Sequence, residues 1–194
     1  HVTLFYSVLK SIYKFFYKLN LFKKLKMKLF QLINGNPLYA FFAKAGLFYI
    51  LWQLIYNFIL MPDGTLDYLL SISVASLTQF FLSLLGWQIE LTGRILTIPG
   101  YLGVEVLNDC NALKLMILYS GFIISFPGAN MQRIQFLIGG ICIIYVLNIL
   151  RIMAFSIATV YIQPYWDTFH EISPFLFFYP AILWIWYKWT LVKS

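Results

Sequence analysis

The chain has 194 residues, of which 61% are hydrophobic and 11% charged. A soluble domain averages about 45–50% apolar and about 25% charged residues, so this composition excludes an ordinary water-soluble domain and indicates an integral membrane protein. The formal net charge of +7 points to a membrane surface and not to nucleic acid, because Lys10, Lys14, Lys18, Lys23, Lys24, Lys26 and Lys28 all precede the first long apolar run, where a polybasic segment meets an anionic cytoplasmic leaflet.

Residues 1–36 predict a basic amphipathic segment at the cytoplasmic face. Their lysines are interleaved with Phe15, Phe16, Tyr17, Leu21 and Phe22, and the segment ends at the turn signal Asn34-Gly35-Asn36-Pro37. Met27-Lys28 reads as a natural start, which would make residues 1–26 an upstream extension or a non-native remnant. Residues 37–194 read as a single membrane domain. A first span is expected over 38–61, with Lys44 as its only charge, near enough to the end to snorkel. Pro62-Asp63-Gly64 closes it.

The stretch 66–86 is apolar but carries Asp67, Ser71, Ser73, Ser76, Thr78, Gln79 and Ser83, with no clean polar face. Residues 87–107 alternate in part and are broken by Gly93, Pro99-Gly100 and Gly103, which predicts a short strand-like segment at the membrane surface. Further spans are expected over 112–126, 134–160 and 174–191, each apolar and bounded by turn or charge signals. A loop over 161–173 holds His170 and Glu171.

Counting crossings brings distant residues to one side. Cys110 stands at the head of the second span, Asn148 and Arg151 near the far end of the third, and His170 just before the fourth. All of them therefore share one membrane face. Arg133, Lys188 and Lys193 fall on the other face, while 161–173 carries Asp167 and Glu171 and no Lys or Arg. The positive-inside rule then makes the Cys110 side extracytoplasmic and both termini cytoplasmic. That parity requires 66–86 to lie on the outer face as an interfacial or re-entrant helix. The predicted fold class is an all-α integral membrane protein with about four transmembrane helices, an outer-face interfacial helix and a short strand-like extracytoplasmic segment.

The residue types on that face suggest acyl-transfer chemistry. A cysteine at a helix N-terminus is expected to be acidic, since free N–H groups and the helix dipole favour the thiolate nucleophile. His170 is the natural general acid and base. Arg151, a charge inside a span, is costly unless paired or functional, and suits an oxyanion or a substrate carboxylate. Asn148 lies on nearly the same helical face as Arg151. Asn111, Asp109 and Glu171 are supporting candidates. Each residue alone has a blander use, as inert thiol, loop histidine or snorkelling anchor; their coincidence on one face is what points to a site. Cys142, inside an apolar run, reads as a small buried hydrophobe, and its depth argues against a redox pair with Cys110. Two histidines and no clustered carboxylates leave no metal-ligand spacing.

Cys110 at the head of a span, Asn148-x-x-Arg151 near the end of the next and His170 before the last resemble the exosortase/archaeosortase family over about residues 85–192. The resemblance implies a multi-pass cysteine transpeptidase of the prokaryotic inner membrane that needs no cofactor. It implies Cys110 as nucleophile with Arg151 and His170 as its partners. The implied substrate is the C-terminal sorting signal of exported proteins: a short motif, a transmembrane helix and a basic tail. The 87–107 segment is a candidate cradle for it. Where the family often has Ser-Gly after the cysteine, this chain has Asn111-Ala112, and it looks like a compact branch. The rivals are a hydrolase without transfer and a non-enzymatic membrane scaffold.

Overall fold

The computed structural model describes residues 36–191, so the basic segment expected over 1–36 lies outside the described residues except for Asn36. The chain divides into two units, His1–Lys44 and Ala45–Ser194, whereas the sequence reading sets its boundary after residue 36. Every residue of the candidate site belongs to the second unit.

Helix α1 (Pro37–Ile55) begins where the sequence says it should. Pro37 occupies its first turn, and the Asn36 side chain accepts from the Leu38 N–H at 2.9 Å, capping it. Apart from Lys44 and Gln53 the helix is apolar, and it has no buried residue, which suits a helix facing lipid. It continues through a π-helical turn, Tyr56–Leu60, into Met61–Asp63. Gly64 then takes φ +67, and α2 (Thr65–Leu84) follows. Later helices are α3 (Leu113–Ser125) and α4 (Asn130–Tyr161), then α5 (Trp166–Phe177) and α6 (Tyr179–Thr190). Among the described residues, three helical stretches are long and apolar enough to cross a membrane: Pro37–Asp63, Thr65–Leu84 and Asn130–Tyr161. The chain is an all-α membrane protein. Thr65–Leu84 thus has the length and apolarity of a span, where the sequence leads to the expectation of an interfacial or re-entrant helix.

The strand-like stretch is a three-stranded antiparallel meander of β1 (Glu90–Thr92), β2 (Ile95–Thr97) and β3 (Val104–Glu105). Leu91 pairs with Leu96, and Leu96 with Val104. Gly93, at φ +61, permits the tight β1–β2 turn. Leu96, Ile98, Val104 and Val106 bury themselves with Val74, Ala75 and Leu82 of α2 and Ile149, Ile152 and Phe155 of α4. A second core joins Met116, Tyr119 and Ile123 of α3, Ile144 of α4 and Ile182, Ile185 and Trp189 of α6. The α3–α4 crossing is close because Gly140 has no Cβ; a methyl there would overlap the Tyr119 ring. Cys110 packs against the first core and Ala112 belongs to the second, so the turn that carries Cys110 lies at their seam.

The C-terminal region differs from expectation in two ways. His170 lies on a helix and not in a loop, because Gln163-Pro164 opens a 3-10 turn (Gln163–Tyr165) that runs into α5; proline here starts a helix instead of ending one. Residues 174–191, expected as one span, divide between α5 and α6 at Phe178. Pro174 inside α5 and Pro180 in the first turn of α6 remove the N–H groups that would continue one ladder. Cys142 is also exposed on α4 instead of buried. Hydropathy does not distinguish the lipid-facing side of a span from its packed side.

Candidate active site

Cys110 ends a 3-10 turn, Asn108–Cys110, and its N–H bonds the Leu107 carbonyl at 2.8 Å. Two residues then turn the chain into α3. Asn111 is wholly buried. Its side-chain carbonyl accepts from the Leu113 N–H at 2.9 Å, satisfying an N–H at the start of α3, and its amide donates to Asp67 Oδ1 at 2.7 Å. Asp67, 1% exposed, also accepts from the Tyr56 hydroxyl at 3.0 Å. Ala112 takes φ +63 and is the only non-glycine residue with positive φ among the described residues. That conformation costs an L-residue about 1–2 kcal/mol, and the buried Asn111–Asp67 lock helps to hold it. The position where the resembled family often carries glycine is therefore the one that needs left-handed backbone.

The sheet secures the other side of the same turn. Arg94 donates from Nε to Glu105 at 2.9 Å and from Nη1 to the Asn108 side chain at 2.9 Å. Asn148, fully buried on α4, donates to the Cys110 carbonyl at 2.9 Å. Its own side-chain oxygen has no partner among the described residues. The peptide of Cys110 is thus fixed from α2, the sheet and α4 together.

His170 Nε2 lies 3.7 Å from Cys110 Sγ. The imidazole stacks on Trp166, with ring centroids 5.2 Å apart and planes 18° apart, and also meets Phe155 at 5.1 Å. These flat walls leave the ring little freedom except to face the thiol. Arg151 is buried, its guanidinium lying over the Phe155 and Phe178 rings at 4.8 and 5.6 Å. Its Nε donates to Ser173 Oγ at 2.8 Å, and its positive charge acts on the Cys110 thiol. Among the described residues no carboxylate forms an ion pair with it; the ion pairs are Arg94–Glu105 and Lys114–Asp109.

The electrostatics correct one expectation. Burial pushes the Cys110 thiol above its ordinary value and Asp109 adds to that, while the positive charge of Arg151 pulls it back in part. Burial also lowers His170, helped by the Arg151 charge and opposed by Asp167 and Glu171. The cysteine sits before α3 with Asn111 and Ala112 intervening, so helix N–H groups do not act on it directly, and desolvation prevails. At rest the pair is neutral thiol beside neutral imidazole, and the cationic group is Arg151.

Cys110, Arg151 and His170 therefore come together, with Asn148 and Asn111 beside them. Asp109 and Glu171 do not. Asp109 is exposed and pairs with Lys114, and Glu171 is exposed on α5, acting on His170 only through its charge. Sequence reasoning missed Asp67, Tyr56, Trp166 and Ser173. Asp67 did carry a signal, since an acid within an apolar helix is by default a functional candidate.

A family model described as transmembrane exosortase matches residues 28–187. No curated protein and no solved structure matches.

Proposed function

Because the chain belongs to the transmembrane exosortase family, we propose that it is a membrane-embedded cysteine endopeptidase and transpeptidase acting on C-terminal sorting signals. The observation that carries this reading is the 3.7 Å approach of Cys110 Sγ to His170 Nε2, with an arginine beside them that has no carboxylate partner among the described residues. His170 accepts the thiol proton as sulfur attacks the scissile carbonyl. Arg151 stabilises the oxyanion of the tetrahedral intermediate. His170 then returns the proton to the leaving amine, and a thioester on Cys110 remains. An incoming amine or water, deprotonated by His170, releases the product. Asn148 and Asn111 hold the nucleophile's peptide, and the outer edges of the meander offer backbone for an extended substrate motif.

The same reading places the site on the extracytoplasmic face of a prokaryotic inner membrane, with both termini cytoplasmic. Crossing parity and the positive-inside rule support this. Labelling a Gly86→Cys variant tests it: modification by an impermeant reagent from outside agrees, and modification only from the cytoplasm refutes the topology.

The test of the chemistry is co-expression with a membrane protein ending in a motif, an apolar helix and a basic tail. A shortened product is expected with the wild type. Cys110→Ala should abolish it, and Arg151→Ala should slow it by about 10²–10³-fold, as loss of an oxyanion donor does. Unchanged processing by Cys110→Ala would overturn the reading in favour of a scaffold. The product's mass separates transfer from hydrolysis.

A further inference from the structure

Ser173 lies in α5, next to Pro174. Proline has no N–H, so the carbonyl one helical turn earlier, that of His170, loses its usual donor. The Ser173 hydroxyl takes that place and donates to the His170 carbonyl at 2.8 Å. A serine has one O–H. With that proton committed, its oxygen can only accept on the other side, and there it receives Arg151 Nε at 2.8 Å. Ser173 is 0% exposed, so no water competes. The Phe155 and Phe178 rings confine the guanidinium, but a ring face sets no direction within its plane. The bond to Ser173 does: it occupies Nε and leaves the terminal N–H groups open, on a guanidinium whose charge acts on the Cys110 thiol.

We propose that Ser173 is a positioning residue that aims Arg151 at Cys110 by tying the guanidinium to the backbone of His170. One hydroxyl thereby sets the mutual placement of the anion-stabilising group and the proton carrier. The inference rests on the reading above, in which Arg151 serves the thiolate and the oxyanion.

The test needs no substrate. Cys110 alkylation by iodoacetamide is followed against pH in the full chain in nanodiscs, with Cys142→Ser as background. Arg151→Gln should move the titration upward by about one pH, which slows alkylation about tenfold at a fixed pH below the midpoint. Ser173→Ala should move it the same way, Ser173→Thr should restore the wild-type profile, and Ser173→Ala with Arg151→Gln should move it no further than Arg151→Gln alone. A wild-type profile in Ser173→Ala, with that of Arg151→Gln displaced, overturns the inference and leaves the proposed function standing. An unmoved profile in Arg151→Gln instead refutes the role of Arg151 itself. If Ser173→Ala does not fold, Ser173→Thr against Ser173→Val decides: a displaced profile in valine alone supports the inference, and wild-type profiles in both overturn it.

Discussion

Cys110 Sγ and His170 Nε2 stand 3.7 Å apart across 60 residues of chain, a thiol held above and an imidazole held below their ordinary titration ranges. A preformed thiolate–imidazolium pair would react with alkylating agents well into the acid range. A neutral pair should not. Iodoacetamide labelling of Cys110 is expected to rise monotonically through neutral and alkaline pH, with no reactive plateau below pH about 6, near the ordinary histidine value. Such a plateau would contradict the neutral resting state.

The lowered His170 also makes a prediction for stability. The folded protein prefers neutral imidazole, so between the folded pKa and the ordinary value of about 6.5 the unfolded chain binds more protons. Stability should therefore fall as pH drops through that window. In His170→Gln this part of the slope should vanish, as read from thermal unfolding in detergent between neutral and mildly acidic pH.

Asp67 is predicted to matter through Asn111 and not through charge. Asparagine can still accept from the Asn111 amide and face the Tyr56 hydroxyl, so Asp67→Asn should retain most of the stability. Asp67→Leu strands a buried amide donor and should cost about 1–3 kcal/mol. Parallel melting curves for the two variants check this, and equal losses would contradict the hydrogen-bond account.

Ala112 holds φ +63, a region that glycine enters freely and β-branched residues resist. Ala112→Gly should be near neutral or slightly stabilising, since relief of backbone strain offsets the lost methyl contact. Ala112→Val should be clearly destabilising, by more than about 1 kcal/mol. The measurement is the difference in Tm between the two, and the reverse order would contradict the left-handed turn.

Much of the architecture was legible because its signals are local or additive. Asn36-Pro37 marked the start of α1, the alternation and glycines of 87–107 marked the meander, and counting apolar runs put Cys110, Arg151 and His170 at one level. What escaped depends on contacts between distant residues. Asp67 meets Asn111 44 positions away, and no periodicity encodes that pairing. Pro174 was visible as a residue, but the carbonyl it leaves open on His170, and the serine that closes it, appear only once α5 is seen to be helical. The acidity expected of Cys110 did not hold because proximity to a helix start is visible in sequence and burial is not.

In the proposed reaction Cys110 carries the acyl group. Intact mass spectrometry of the chain, acid-quenched during turnover of a sorting-signal substrate, tests it most directly. A hydroxylamine-labile adduct with the mass of the cleaved amino-terminal portion is expected, mapping to Cys110 and absent in Cys110→Ser. Substrate cleavage by the wild type with no adduct on Cys110, together with undiminished cleavage by Cys110→Ser, would contradict it.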